Sequence, residues 1–154
     1  MLIREATVDD TAAIMTLHER SVRGLCSADY TPEQIDGWLS RSTLERYQQR
    51  LQFHRSYIAE LDREMVGYVR WNPATYELCS IFVHPDYVRR GIATLLMRTA
   101  YQDVNAHGVQ DLWLDASLTA VPFYEVKGWE VVESGMHGIL ECVRMIKRLD
   151  SEQE

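Results

Sequence analysis

The sequence predicts a single α/β domain, and three successive segments support that prediction. Residues 76–83 are mostly apolar on both faces, which is typical of a central strand covered on both sides. An amphipathic helix follows from Ile92, and residues 112–114 form a second short apolar strand. Strand, helix and strand in this order predict a right-handed parallel crossover over residues 76–115. A chain of 154 residues has room for one such core.

The first third of the chain predicts a strand followed by helices. A short apolar run ends at Ala6, and capping side chains at residues 7–10 precede the apolar positions of a first helix. A second helix starts at Thr31 and Pro32, where threonine can cap the helix and proline fits its first turn. We expect it to pack on the first helix. Residues 44–54 are rich in Glu, Arg and Gln and fit either a helix or irregular structure.

A β-hairpin is expected between this region and the crossover. Two β-rich runs, residues 57–61 and 65–71, flank a polar turn at Asp62 and Arg63. Such runs on either side of a short polar turn are the usual signature of paired antiparallel strands.

The last third of the chain predicts a short helix and a closing strand pair. Gly108 is a stop signal for the crossover helix. Residues 121–127 then fit a short helix that Gly128 ends. We expect residues 129–133 and 140–149 to form the closing pair.

Composition and charge limit the partners. A formal net charge of −7 argues against a nucleic-acid binder, which normally presents a basic face, and suits a cationic or neutral partner better. No apolar stretch approaches the roughly 20 residues that cross a bilayer. The first ten residues lack the basic and apolar regions of a secretory signal. We therefore expect a cytoplasmic protein with no nucleic-acid or membrane partner.

The cysteines and histidines form no recognisable metal or disulfide pattern. The three cysteines are far apart and lack CxxC spacing, and the five histidines form no HxxxH or HxxH pair. Cys79 has no neighbouring histidine that would activate it as a nucleophile. We expect reduced, structural thiols and no bound metal.

The connection between the central strand and the crossover helix has the features of an anion site. Unpaired backbone N–H groups and the positive end of the helix meet there. Gly91 allows a ligand to approach the backbone, and Arg89 and Arg90 add positive charge. A pyrophosphate fits such a site. The alternative is that Gly91 only begins the helix while both arginines face solvent.

The spacing in this loop matches neither GxxxxGK[ST] nor GxGxxG, so two common nucleotide-binding loops are disfavoured. Residues 83–93, VHPDYVRRGIA, instead resemble motif A of the GNAT superfamily of acyl-CoA N-acyltransferases, V-x-P-x-x-[RQ]-x-x-G-x-[GA]. The departure is Val88, where the motif has Arg or Gln. Because the family's pyrophosphate contacts come largely from backbone N–H groups, the resemblance implies that binding survives this change.

Two further segments extend the resemblance over nearly the whole chain. Residues 3–10, IREATVDD, resemble the family's opening I-R-x-A-x-x-x-D, and residues 120–129, AVPFYEVKGW, resemble its A-x-x-F-Y-x-x-x-G-[FW]. The resemblance implies a mixed, strongly twisted central sheet flanked by helices. It implies an N-acetyltransferase domain over residues 1–150, followed by a polar tail at residues 151–154. It also implies acetyl-CoA as the acyl donor.

The resemblance indicates which residues meet acetyl-CoA. The central strand would supply backbone contacts to the acetyl and pantetheine portions, the latter lying between two splayed strands. Ser117 stands where many members of the family have Asn, a position that often meets the CoA arm. The implied CoA-contacting residues are Ile81, Phe82, Val83, Val88, Arg89, Arg90, Gly91, Ile92, Ala93, Thr94, Ser117 and Tyr124.

The resemblance also implies direct attack of a neutral amine on the thioester. Tyr124 matches the family's acid, and a phenol with an ordinary pKa of about 10 is protonated at neutral pH. The alternative is a core aromatic residue. Glu77 is the candidate base. Simple alternation puts Glu77 on the face of Ile81 and Val83, but a β-bulge would change that face, and a solvated glutamate is the alternative.

These observations predict an acetyltransferase that acts on a primary amine of a small molecule. One alternative is an enzyme that acts on a peptide N-terminus or lysine, which an open substrate groove would favour. Another is a non-catalytic acyl-CoA-binding sensor or partner module. Asp29 and Tyr30 lie where a cationic amine could be met, although loop polarity alone explains them. Edge strands in this architecture are compatible with a homodimer.

Overall fold

A seven-stranded mixed sheet forms the centre of the protein in a computed structural model, which describes residues 1–149. The predicted polar tail, residues 151–154, lies outside the described residues. The strands follow the order β1-β2-β3-β4-β5-β7-β6, and β4 and β5 pair in parallel while the other neighbours are antiparallel. The strands are β1 (Leu2–Glu5), β2 (Arg55–Leu61), β3 (Glu64–Asn72), β4 (Glu77–Val83), β5 (Asp111–Ser117), β6 (Glu130–His137) and β7 (Leu140–Arg148).

Helices flank this sheet, which confirms the α/β class and the predicted β4–α4–β5 crossover. The α-helices within residues 1–149 are α1 (Thr11–Leu25), α2 (Pro32–Ser40), α3 (Leu44–Phe53), α4 (Ile92–Ala106) and α5 (Val121–Val126). None of them combines the length and the apolar character that a membrane crossing requires.

Side-chain caps explain where two of the helices begin. The Thr31 hydroxyl accepts a 3.1 Å hydrogen bond from the Gln34 N–H, which caps α2 as its sequence predicts. Residues 44–54 fit either a helix or irregular structure by sequence. Just before them, the Thr43 hydroxyl accepts a 3.2 Å hydrogen bond from the Arg46 N–H. This cap begins α3, so the segment is helical.

The two faces of the sheet are covered by different helices. Leu96 of α4 is fully buried and packs with Val69 on one face. On the other face, Ile14 of α1 and Tyr47 of α3 pack with Tyr68 of β3. These two layers hold the sheet between them.

Helix α2 and strand β6 lie at the edge of this arrangement. Ile35 of α2 packs with Val22 of α1, as expected, and also with Leu140 of β7. Strand β6 runs on to His137, beyond the predicted residues 129–133. All residues of this edge strand are exposed. Because neither face is buried, the second half of the strand lacks the alternation of apolar and polar residues that predicts a strand.

A β-bulge in β4 decides which face Glu77 occupies. Arg70 of β3 pairs with Ser80, but the next residue of β3 pairs with Leu78, which leaves Cys79 as the extra residue. Simple alternation along β4 is therefore broken. Glu77 shares a face with Arg70 and Ser80, not with the apolar residues of β4 that pack against α4.

Candidate active site

The diverging strands β4 and β5 open a cleft with a volume of about 830 Å³. These two strands pair at Glu77 and Trp113 and separate from there on. The cleft extends from the start of α4 on one face of the sheet to α1 and α3 on the other. We name its two ends the loop end, at residues 87–94, and the arginine end, at Arg50 and Arg70.

The loop end presents unpaired backbone donors. Gly91 is the N-cap of α4 and has a φ of 78°, a left-handed conformation that glycine adopts without strain. The first bond of the helix runs from the Leu95 N–H to the Gly91 carbonyl, at 3.0 Å. The N–H groups of the preceding turn have no partner within the helix, and with its positive end they can bind an anion. The predicted residues that line this end are Val88, Arg89, Gly91, Ile92, Ala93 and Thr94.

The two arginines of the loop point in different directions. Arg89, with a φ of 63°, lines the cleft. The guanidinium of Arg90 instead lies 5.0 Å from the ring centroid of Tyr87, in cation–π geometry. Arg90 is not one of the described residues that line the cleft, so its predicted contact with CoA gains no support. Val88 is 37% exposed and brings no charge, which leaves Arg89 as the cation of this loop that faces the cleft.

The predicted strand residues Ile81, Phe82 and Val83 line the cleft along β4. Their backbone groups pair with β3 on one side. On the other side β5 has moved away, so this edge of β4 is free to bind a ligand through its peptide groups. The ring of Phe82 stacks on His18 with centroids 4.6 Å apart. Ser117, at the end of β5, lines the same cleft.

Tyr124 is both a core residue and a cleft residue. Its ring packs edge-on against Trp129, with centroids 5.8 Å apart, and 7% of the residue is exposed. The hydroxyl makes no hydrogen bond to another residue within 1–149. Burial, and then the neighbouring Tyr101, raise the pKa of Tyr124 above its ordinary value. The phenol therefore holds its proton at neutral pH.

Glu77 lies in the cleft wall at the arginine end, half-buried. Burial raises the pKa of its carboxyl group above the ordinary value for glutamate, and the positive charge of Arg70 only partly opposes this shift. A carboxylate with a raised pKa is a better proton acceptor than a solvated one.

Cys79 and His84 have structural environments. Burial raises the pKa of the Cys79 thiol to about 12, so the thiolate needed for nucleophilic attack does not form at neutral pH. His84 is buried, and its Nδ1 accepts a 3.1 Å hydrogen bond from the Asp86 N–H. It shapes the turn before the loop.

The residues of the arginine end are not among those predicted from the sequence. Arg50 comes from α3 and Arg70 from β3, and His18 and His54 lie beside them in the same cleft. One signal was available: Arg70 interrupts an otherwise apolar strand pattern, which is unusual for a strand that is buried along most of its length.

Within residues 1–149, no three His, Cys, Asp or Glu side chains are grouped so that they could hold a metal ion. Residues 26–149 match the model of the family described as Acetyltransferase (GNAT) domain. The chain belongs to this family and is an acyltransferase.

Individual relatives agree with this assignment. The uncharacterised N-acetyltransferase YafP of Escherichia coli K12 is 28% identical over 131 residues, covering 85% of this chain and 82% of that protein. A crystal structure of the GCN5-related N-acetyltransferase "Aminotransferase, Class-II" from Rhodopseudomonas palustris is 27% identical. It has a TM-score of 0.91 and covers 96% of this chain and 95% of its own.

A more distant structure shares the fold. The PaiA N-acetyltransferase of Thermoplasma acidophilum, solved in complex with coenzyme A, has a TM-score of 0.83 at 18% identity. The alignment covers 96% of this chain and 98% of that one.

Proposed function

We propose that the protein transfers the acetyl group of acetyl-CoA to a primary amine of a small molecule. The loop end of the cleft supports acetyl-CoA as the acyl donor. The free N–H groups at the start of α4 and the guanidinium of Arg89 suit the pyrophosphate of CoA. The unpaired edge of β4 suits the amide groups of the pantetheine arm. The PaiA enzyme, which has this fold, was solved with coenzyme A.

In the proposed reaction, the amine attacks the thioester carbonyl directly. Glu77 takes the proton that the amine must lose, directly or through water, and its raised pKa suits that role. The C–S bond of the tetrahedral intermediate then breaks, and Tyr124 donates its proton to the departing thiolate. The burial that raises the pKa of Tyr124 also raises that of a thiol in the same cleft, as it does for Cys79. The departing thiolate is therefore disfavoured in the buried cleft, which favours its protonation.

Contacts between the α2 region and the β6–β7 turn cover the arginine end, and this cover supports a small substrate. Arg41, the residue directly after α2, packs against Gly138, in the turn between β6 and β7. The Gln34 side chain donates a 3.5 Å hydrogen bond to the Ile139 carbonyl in the same turn. These contacts join α2 to the β6–β7 turn above the cleft. A polypeptide acceptor needs an open groove here, whereas a small amine does not.

The α1–α2 connection strengthens this enclosure. The Tyr30 hydroxyl donates a 2.7 Å hydrogen bond to the Glu141 carbonyl and accepts a 2.8 Å bond from the Leu118 N–H. Asp29 accepts a 2.6 Å bond from the Thr119 hydroxyl. Both residues therefore tie the connection to its neighbours, which explains them without a cationic amine.

The presence of the Tyr124 phenol and the Glu77 carboxylate favours an enzyme over a sensor module. A protein that only holds acyl-CoA requires the loop end of the cleft, but it does not require a free phenol and a half-buried carboxylate farther along. Tyr124 and Glu77 both line the cleft.

Acetyl-CoA and a panel of small amines test the proposal, with release of free CoA thiol and the mass of the acetylated product as readouts. The matched arm uses peptides that carry a free N-terminus or a lysine. Turnover of small amines but not of peptides is the expected result. Preferential turnover of peptides would refute the small-molecule assignment, and tight acetyl-CoA binding without turnover of any amine would favour the sensor module.

A further inference from the structure

Two arginine side chains at the arginine end lie below the protein surface without a carboxylate partner. Arg70 projects from β3 and is 7% exposed, and Arg50 projects from α3 and is half-buried. Both line the cleft. The arginine–carboxylate pairs of the described residues are made by other arginines, namely Arg4, Arg23, Arg55, Arg144 and Arg148.

The partners of Arg70 are neutral. Its Nη1 lies 2.7 Å from Nδ1 of His54, and its Nη2 donates a 3.2 Å hydrogen bond to the Ser80 hydroxyl. Burial, and then the charges of Arg70 and Arg50, lower the pKa of His54 to about 4, so at neutral pH this ring nitrogen accepts. The Nε atom of Arg70 is buried and has no hydrogen-bond partner. A buried cation with an unused donor is costly in an empty site.

Arg50 adds a second positive charge to the same end. Its guanidinium lies over the ring of Tyr47, 5.1 Å from the centroid. Burial, and then the charge of Arg70, lower the pKa of Arg50 below its ordinary value. Two like charges thus line the same end of the cleft, and an anion placed between them would relieve their repulsion.

The nearby carboxylates do not supply that anion. Asp115 is held by Arg144 through two hydrogen bonds of 2.9 and 3.0 Å. Glu77 forms no ion pair with Arg70, and burial outweighs Arg70 in setting its pKa. Among the described residues, Arg50 and Arg70 therefore have no ion-pair partner, even though the Glu77 carboxylate lies on the same face of the sheet as Arg70.

We propose that the acceptor amine carries an oxyanion, a carboxylate or a phosphate, and that Arg50 and Arg70 bind it while the amine faces Glu77. The guanidinium fork matches the oxygen spacing of both groups. This inference rests on the proposed acetyl transfer and names the class of its acceptor. It differs from the cationic or neutral partner suggested by the net charge of −7, because the charge inside the cleft has the opposite sign to that of the molecule.

Matched substrate pairs test the inference. One pair is glycine and glycinamide, and the other is phosphoethanolamine and ethanolamine, so that each pair keeps a primary amine and differs in the oxyanion. Because the oxyanion also raises the pKa of the amine, kcat/KM is expressed per concentration of neutral amine. The anionic member is expected to have a kcat/KM at least about tenfold higher in one of the pairs, and the pair that shows this identifies the oxyanion. Equal values within both pairs, with thiol release observed, would overturn the inference and leave acetyl transfer intact.

Variants connect the preference to the arginines. Arg50→Gln is expected to reduce the anionic-to-neutral ratio of kcat/KM by about tenfold or more, because one of the two charges is removed. Arg98→Gln is the control. Arg98 is exposed on α4 and is not one of the cleft-lining residues, so this variant loses the same charge while the ratio stays unchanged.

A binding measurement separates failure of the inference from failure of acetyl transfer. The protein is saturated with CoA and titrated calorimetrically with each member of the two pairs. If neither these amines nor those of the wider panel release thiol, the proposed transfer to a small amine is refuted. Binding of an anionic member alone, lost in Arg50→Gln, would still support the oxyanion site. Equal or undetectable binding of both members in both pairs would refute it.

Discussion

The indole N–H of Trp129 donates a 2.8 Å hydrogen bond to the hydroxyl of Tyr101, within the core between α4 and the start of β6. The ring of Trp129 in turn packs edge-on against Tyr124. The position of Tyr124 is therefore fixed by a neighbour that is anchored on α4, not by a hydrogen bond of its own hydroxyl. That hydroxyl is left available for chemistry in the cleft.

Tyr124→Phe should reduce kcat with little effect on folding. General acids contribute about 100-fold or more to catalysis, so a loss of that size is expected if Tyr124 protonates the thiolate. The phenylalanine ring keeps the packing against Trp129, and no internal hydrogen bond is lost. Steady-state kinetics at saturating acetyl-CoA measures kcat, and calorimetry should give an unchanged Kd for CoA.

Tyr101→Phe is the matched control, since it removes the hydroxyl of the adjacent buried tyrosine, which does not line the cleft. The Trp129 N–H then loses its acceptor, at a cost of about 1–3 kcal/mol in the free energy of unfolding. Tyr101→Phe should lower Tm and reduce kcat far less than Tyr124→Phe does, because the proton donor itself is retained. A Tyr124→Phe enzyme with full kcat would show that water or another group protonates the thiolate.

Glu77→Gln should reduce kcat/KM and remove one limb of its pH profile. Because burial raises the pKa of Glu77, activity should fall as the pH drops through a value above that of an ordinary glutamate. The amine contributes a separate limb at higher pH, which moves with the pKa of the amine chosen and persists in the variant. An unchanged low-pH limb in Glu77→Gln would assign the base to another group.

The stability of the Glu77→Gln variant provides a second readout. A carboxyl whose pKa is raised in the folded protein favours folding when protonated, and that contribution disappears as the pH rises through the folded pKa. At neutral pH the wild type therefore carries the cost of a half-buried charge, which glutamine lacks. The variant should unfold at an equal or higher urea concentration at pH 7, so a loss of activity would not reflect a loss of fold.

The sequence predicted the parts of the fold that depend on local chemistry. The cap at Thr31 and the left-handed position at Gly91 are properties of single residues and their neighbours, so the ends of α2 and α4 are encoded locally. The hairpin turn at Asp62 and Arg63 is similar, since both residues have a positive φ that suits a tight connection.

The arginine end could not be predicted in the same way. Arg50 and Arg70 are twenty positions apart, and they meet because α3 packs across β3. The face of Glu77 depends on a bulge in the pairing of β4 with β3, and the alternation of residues along β4 alone does not reveal it. The direction of the Arg90 side chain depends on the ring of Tyr87, which attracts the guanidinium that would otherwise be solvated.

Gly91→Ala should weaken CoA binding through the backbone. Alanine at a φ of 78° costs about 1 kcal/mol or more, although a Cβ at this position would meet no atom within 4 Å. Relief of that strain would turn the N–H groups at the start of α4 away from the ligand. A loss of about 1.4 kcal/mol in binding free energy corresponds to a roughly tenfold higher Kd for CoA. Calorimetric titration with CoA measures the change.

Gly108→Ala supplies the control at the other end of the same helix. Gly108 has a φ of 73°, and a Cβ there would also meet no atom within 4 Å. Its stability loss should match that of Gly91→Ala, because the backbone cost is the same. Its Kd for CoA should stay unchanged, since Gly108 is not one of the described cleft-lining residues. Equal Kd values in both variants would argue against backbone binding at Gly91.

Asp103→Asn should destabilise the fold at neutral pH but not in acid. Asp103 of α4 accepts hydrogen bonds from Arg55 at 3.0 Å and from the Trp71 indole at 2.8 Å. Burial alone would raise its pKa, but these bonds, with that from Arg55 the stronger, lower the pKa below the ordinary value. A carboxyl group whose pKa is lowered by folding stabilises the folded protein at pH values above its pKa in the unfolded chain. This stabilisation is lost as the pH falls through its pKa in the folded protein.

Urea unfolding at two pH values tests this sign. At pH 7 the variant should lose about 2 kcal/mol, the usual contribution of a hydrogen bond to a charged group. Below the lowered pKa of the folded state, Asp103 is itself neutral, so wild type and variant should converge. Asp111→Asn removes an exposed partner of Arg148 and should change stability by about 0.5 kcal/mol or less at either pH. A difference between wild type and Asp103→Asn that persists undiminished in acid would mean that the carboxylate charge does not stabilise the junction of α4 with β2 and β3.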